Sequence, residues 1–338
     1  MNGYMAAEAA ATVVVAPRSG TVAAVVVTFN RKQLLAECLD ALLNQTQPLD
    51  RIIIVDNASS DGTLGFLAKR GYLGSPLIDY VRLPENIGGA GGFHFGTKRG
   101  YEAGYGWLWV MDDDAEPRPD ALSILAEEFT NQETGAVACL KTSPDGTPQY
   151  QHRGWIKQGK ASIPVIKAIS QTDIDCDVDI EHASFVGLCI SREVFQLVGF
   201  PKKEFFIHYD DLEFCMRMLS VKKIKLKVKS IILHKDYRKS QEQQKFFWGR
   251  TSIRLPYEQL WLRYYGLRNV IWISRNRCGV LILMAFSIKY LLKKYVGILI
   301  YDDHKVQRMK FWTSAIMDGW NGVFDNAKPK LILYHRVP

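Results

Sequence analysis

Trp107-Leu108-Trp109-Val110-Met111-Asp112-Asp113-Asp114-Ala115 is an apolar, aromatic run of strand character that ends in three adjacent carboxylates. Core packing does not ask for three such charges together, and their mutual repulsion calls for a counter-charge. Mg²⁺ or Mn²⁺ carrying phosphate oxygens supplies one, because such ions are held by one or two carboxylates plus the oxygens of a substrate. Asp is also common between a strand and a helix, as a cap or in a solvated loop. The triad alone does not separate the two readings, and the surrounding chain has to.

Upstream, residues 21–29 (TVAAVVVTF) form a β-branched run suited to a strand buried on both faces, ending at Asn30-Arg31. Residues 32–44 carry Leu34, Leu35, Cys38, Leu39, Leu42 and Leu43 at helical spacing, and residues 51–55 (RIIIV) read as a second buried strand. Strand, helix, strand implies a right-handed parallel crossover, the opening of a doubly wound sheet whose ligands sit at the carboxyl ends of strands. The polar clusters 28–31 and 56–63 lie at that edge.

A helix over 64–70 and a strand over 78–83 follow. Residues 84–93 (PENIGGAGGF) then hold four glycines in five positions. This reads as a glycine-rich loop that lets backbone approach a ligand, followed by a helix over 93–103 whose N-terminal amides face an anion. The spacing matches neither G-x-G-x-x-G nor G-x-x-x-x-G-K-[ST], which weakens the case for a dehydrogenase or a P-loop enzyme. With the strand over 106–111, every polar cluster terminates a strand of one sheet and can converge on one crevice.

Downstream, the pattern predicts a helix over 117–129, a strand over 136–140, an irregular excursion over 141–179, a strand over 184–191 and a helix over 192–198. Residues 205–214 (FFIHYDDLEF) form a second carboxylate cluster among aromatics. Partial desolvation there suits a general base, while Asp210, Asp211 and Glu213 also suit the first turn of a helix running through Met218. Residues 223–229 (KIKLKVK) alternate strictly, as in a strand whose lysines guard a sheet edge. His234 follows that strand, beside the crevice.

The 338 residues, 47% hydrophobic and 23% charged, fit one large domain with an appendage or two domains. The six cysteines show no C-x-x-C pair, which suits a reducing compartment. Residues 1–20 lack a basic leader and read as a loosely ordered start rather than a secretory signal. The net charge of +8 is placed unevenly, with basic and aromatic residues thickening after Lys202. From Phe246 onward aromatics alternate with arginines, and residues 279–288 are apolar but too few to span a bilayer. That C-terminal region, 246–338, reads as helical and either attached to an anionic membrane surface or packed on the catalytic domain, taken as 21–245. No nucleic-acid-binding motif is present, and no nucleic-acid partner is expected.

The segments VVVTFNR, IIIVDNASSDGT, ENIGGAGGF, MDDDAEP and HYDDLEF, in this order over roughly residues 22–238, resemble the family 2 glycosyltransferases of the GT-A fold. The glycine-rich segment, the triple aspartate and the later His are most similar to galactofuranosyltransferases, with rhamnosyltransferases sharing much of the pattern. The resemblance implies an α/β, Rossmann-like, mostly parallel sheet and an inverting, metal-dependent transfer of galactofuranose from UDP-galactofuranose to a lipid-linked or cell-surface glycan, at the inner face of the cytoplasmic membrane. A dTDP-rhamnose donor is the alternative. By the same resemblance Asp56, helped by Thr28 and Arg31, reads the nucleotide base, Gly88, Gly89 and Asp113 belong to the donor site, and Asp112, Asp114 and His234 hold Mn²⁺ or Mg²⁺. Asp211 is then the base, and Tyr209, where the family often carries Trp, lies with Asp210 on the acceptor side. A nucleotidyltransferase and a non-catalytic membrane-attached scaffold are the more distant alternatives.

Overall fold

The computed structural model describes residues 18–157, 163–235 and 243–334. Most of the segment expected to be a loose start therefore lies outside the described residues. In chain order the elements are β1 (Arg18–Thr28), α1 (Lys32–Leu43), β2 (Arg51–Asp56), α2 (Thr63–Lys69), β3 (Ile78–Arg82), α3 (Gly88–Glu102), β4 (Tyr105–Asp112), β5 (Ala115–Pro117), α4 (Ala121–Ala126) and β6 (Thr134–Thr142). They continue as β7 (Arg153–Lys157), β8 (Val165–Ala168), β9 (Val178–Ile180), β10 (His182–Ala183), β11 (Leu188–Ser191), α5 (Arg192–Val198), α6 (Asp210–Met218) and β12 (Lys223–His234). The last part holds β13 (Gln243–Phe247), β14 (Arg250–Arg254), α7 (Leu262–Arg275), α8 (Val280–Tyr301), α9 (Lys305–Asn321) and α10 (Lys328–Tyr334).

The main sheet runs β3-β2-β1-β4-β11-β6-β12-β5, with β9 also on β12. β3, β2, β1 and β4 are parallel, as the strand-helix-strand pattern requires, whereas β11 enters antiparallel between β4 and β6. Both faces of the central strands are covered: Val25, Val27, Leu108 and Val110 pack on one side, and Ala24, Val26, Trp107 and Trp109 on the other. Fully burying a side chain of this size stabilises by roughly 1.5–3 kcal/mol, so continuous apolar runs, rather than alternating ones, mark these strands.

Several elements depart from expectation. Residues 88–92 are not a loop but the first turns of α3. Glycine there costs about 1 kcal/mol each against alanine, yet Gly92, Gly96 and Gly100 lie on one face, where an added Cβ would stand 2.6 Å from Val27, 2.3 Å from Val25 and 2.5 Å from Leu108. The glycines let the helix lie close on the sheet. The 117–129 helix is shortened to α4 because Ala115–Pro117 pairs with β12. The excursion 141–179 is more ordered than expected, since β7 and β8 join β10 in a three-stranded sheet and β9 flanks β12. In consequence β12 is not a free edge there: Lys225 pairs with Asp179 (3.0 Å), and Lys227 with Glu127 (2.9 Å) and Asp177 (2.7 Å). The apolar run 279–288 extends to Tyr301 as α8. Among the described residues no helix is long and apolar enough to cross a membrane.

Candidate active site

The triad stands where β4 ends beside β1, with Val27 opposite Asp112 in the parallel register. β12 pairs antiparallel with β5, placing His234 opposite Ala115. One ligand atom from each of Asp112, Asp114 and His234 therefore lies within 4.8 Å of the others. Gln149 Oε1 is 3.3 Å from His234 Nδ1. With Nδ1–H donating there, Nε2 turns its lone pair toward Asp114 Oδ1, 3.3 Å away, the outer-shell arrangement that orients metal-binding histidines. Asp114 Oδ1 is buried and makes no well-aligned hydrogen bond among the described residues. Two carboxylates, one of them with this uncompensated oxygen, and one imidazole fit a divalent cation with open positions for phosphate.

The three carboxylates differ in environment. Burial, then the charges of Asp114 and Asp113, push Asp112 well above the usual carboxylate range. Burial raises Asp113 to about 6, although Thr28 Oγ1 donates to its Oδ2 (2.7 Å) and Arg31 Nη1 to its Oδ1 (3.1 Å). Burial works on Asp114 as well, but Arg31, and His234 when its imidazole is protonated, more than offset it and hold the group below its ordinary value; Arg31 Nη1 donates to Asp114 Oδ2 at 2.8 Å. Thr28 and Arg31 thus brace the aspartates.

Asp56 is placed differently from the expectation. It is fully buried, its Oδ1 accepts the Ser59 amide (2.8 Å), its Oδ2 accepts the Tyr80 hydroxyl, and it does not line the cavity. Its neighbour Asn57 reaches the cavity wall, with Nδ2 donating to the Gly88 carbonyl (3.1 Å). Gly88 and Gly89 also line the cavity, but the Gly88 amide donates to Asn86 (2.8 Å) and the Ala90 amide to the Phe206 carbonyl (3.0 Å), so the α3 N-terminus is partly satisfied within the protein.

Tyr209, Asp210 and Asp211 line the same cavity of about 1150 Å³. The preceding loop holds Phe206, His208 and Tyr209 at φ of 65°, 70° and 65°, conformations that cost about 1–3 kcal/mol each unless the surroundings impose them. Asn269 of α7 imposes them, its Nδ2 donating to the carbonyls of Phe205 (3.1 Å), Ile207 (3.2 Å) and His208 (2.8 Å), while Arg268 Nη2 donates to Phe205 (3.0 Å). Both are fully buried. Burial and the charge of Asp211 push Asp210 up to about 8. Burial also acts on Asp211, but His182 and the Leu212 amide, which donates to Oδ1 (2.7 Å), hold it below the ordinary value. One of the adjacent acids is therefore neutral and the other ionised near pH 7. Sequence pattern alone does not single out Gln149, His182 or Asn269, and it shows Arg268 only as one of the arginines interleaved with aromatics. The available signal was a polar Arg-Asn pair inside the otherwise apolar face of α7.

The profile of the family described as "Glycosyl transferase family 2" matches residues 23–192. The chain belongs to glycosyl transferase family 2. Relatives include galactofuranosyltransferase GlfT1 of Mycolicibacterium smegmatis, 28% identical over 204 residues (59% of this chain, 65% of that protein), and GlfT1 of Mycobacterium tuberculosis, 30% identical over 206 residues (59% and 64%). The match thus spans just under two thirds of these two relatives. The dTDP-rhamnosyl transferase RfbF of Shigella flexneri is 24% identical over 303 residues, covering 89% of this chain and 95% of that one. Among solved structures, GalNAc-T7 with UDP, GalNAc and Mn²⁺ superposes with a TM-score of 0.57 at 15% identity (87% of this chain, 55% of that one). S. aureus TarS residues 1–349 with UDP gives 0.51 at 14% identity (93% and 86%). These structural likenesses show that the family 2 chain has the GT-A fold.

Proposed function

We propose that this family 2 glycosyltransferase moves galactofuranose from UDP-galactofuranose, with inversion, onto a lipid-linked or cell-surface glycan. The observation that carries the proposal is that the cluster of Asp112, Asp114 and His234 lines one cavity with Asp211. A bound Mn²⁺ or Mg²⁺ would neutralise the diphosphate, without which it leaves poorly. Asp112, Asp114 and His234 would hold it, Thr28, Arg31 and Asp113 would keep the aspartates in place, and Gly88 and Gly89 would line the donor. Asp211 takes the proton from an acceptor hydroxyl. That oxygen bonds to the anomeric carbon as the bond from the anomeric carbon to the diphosphate breaks, so UDP departs with the bonding pair. Tyr209 and Asp210 would contact the acceptor, Asp210 as a neutral donor.

Similarity to GlfT1 supports the donor assignment; similarity to RfbF along nearly the whole chain supports dTDP-rhamnose as the second reading. The proposal includes a catalytic domain over 21–245 and a C-terminal region, 246–338, that attaches peripherally to the inner face of the cytoplasmic membrane. The test of the donor is a panel of nucleotide sugars scored for metal-dependent nucleotide release. UDP-galactofuranose is expected to give the highest kcat/KM, and release from dTDP-rhamnose alone would overturn the donor.

A further inference from the structure

His182 lies in β10, which pairs antiparallel with β7 opposite Gly154 and runs beneath the first turns of α6. The Ala183 carbonyl accepts Cys215 Sγ–H of α6 (3.4 Å), which fixes the distance between the two elements. The imidazole is 1% exposed, and neither ring nitrogen makes a hydrogen bond among the described residues. Leaving a buried polar atom unsatisfied costs about 1–3 kcal/mol, so two on one ring call for a partner. Nε2 stands 3.6 Å from Asp211 Oδ2, a fraction of an ångström beyond hydrogen-bonding reach.

The other groups around Asp211 have different engagements. Arg153 of β7 is fully buried and donates to the carbonyls of Cys139 (3.0 Å), His152 (2.8 Å) and Val186 and to Ser184 Oγ (3.1 Å). His152, just before β7, is pushed down to about 4 by burial and by Lys141 of β6, and is neutral near pH 7. On the stretch of Asp211 itself, Glu213 is taken by Arg217 (2.8 Å), Asp210 carries its proton, Cys215 is raised to about 12 by burial, and His208 and Tyr209 also face Arg263 of α7.

We propose that His182 is the positioning residue of the base: its Nε2–H donates to Asp211 Oδ2, keeping that carboxylate ionised and aimed at the acceptor hydroxyl. The inference rests on Asp211 being the base. It explains why a buried imidazole with no other partner among the described residues lines the cavity at this place.

The test is the pH profile of kcat/KM for UDP release from UDP-galactofuranose with an n-octyl glycoside acceptor. His182→Leu, of similar bulk but without a donor, is expected to lower kcat about tenfold or more and to move the acid limb up by about one pH unit, with UDP affinity in Mn²⁺ within twofold of wild type. His182→Gln, which retains an N–H donor, is expected to recover most of kcat. His182→Asn keeps a polar side chain too short to reach Oδ2, and is expected to move the acid limb in the same direction. An unmoved acid limb in the folded Leu and Asn variants would overturn the role of His182 while Asp211→Asn remained inactive. Wild-type-like turnover in Asp211→Asn would instead overturn the base itself, and the inference with it.

Discussion

Asp210, buried, and Asp211, half-buried, are adjacent and opposite in character, and the difference comes from their neighbours. Asp211 has His182 and the Leu212 amide; Asp210 has the charge of Asp211 beside it. With Asp210 raised to about 8 against an ordinary 3.8, the native protein keeps a proton that the unfolded chain releases. The contribution of Asp210 to stability therefore falls as pH rises from about 4 to about 8 and levels off above. Asp210→Asn removes this dependence, because the amide is neutral throughout. Thermal unfolding in EDTA is expected to show the variant equal to wild type near pH 4.5 and more stable by several degrees near pH 8.5. Parallel curves would contradict the assignment of the proton to Asp210. The difference between the two proteins isolates Asp210 from Asp113, whose raised value acts in both.

At the scale of elements, apolar periodicity made the helices and strands around the first four parallel strands readable, because burial on both faces dictates continuous runs such as Val25-Val26-Val27 and Ile52-Ile53-Ile54. Where one sequence feature serves two purposes, reading fails. The glycines of α3 look like a loop, but close helix–sheet packing requires them. The lysines of β12 look like edge protection, but they meet carboxylates just after α4 and in or just before β9. α8 is the clearest case of an element with two faces. Leu283, Ser287 and Ile298 are buried, while Leu281, Met284, Ile288, Leu292, Val296 and Leu299 form an exposed stripe at three- and four-residue spacing, beside exposed Lys289 and Lys293. Trp248, at the β13–β14 turn, is 92% exposed. An apolar stripe with flanking lysines suits the plane of an anionic bilayer. Ile288→Glu with Leu292→Glu is expected to reduce co-sedimentation with phosphatidylglycerol-containing vesicles at least fivefold, leaving UDP affinity unchanged. Undiminished binding would remove α8 from the membrane contact.

Across the whole molecule, the candidate site depends on elements far apart in the chain. Asp112, Asp114 and Asp211 were legible as acids in unusual company, and His234 as a residue following a strand beside the crevice. Gln149 behind His234 and Asn269 beneath the strained 206–209 loop were not, because their roles arise only when the segment before β7 and α7 fold back onto the sheet. Asp56 was legible as a strand-end acid, but Tyr80 and Ser59 absorb it. In the proposed mechanism the cavity divides its labour, with the donor diphosphate at Asp112, Asp114 and His234 and the base at Asp211. The most direct test of this division is calorimetric UDP binding with and without Mn²⁺, set beside turnover, for Asp114→Asn and Asp211→Asn. Asp114→Asn is expected to lose the Mn²⁺-dependent gain in UDP affinity, by tenfold or more. Asp211→Asn is expected to keep that gain within twofold while turnover falls at least a hundredfold. Equal loss of UDP affinity in both variants, or turnover retained in Asp211→Asn, would contradict the account.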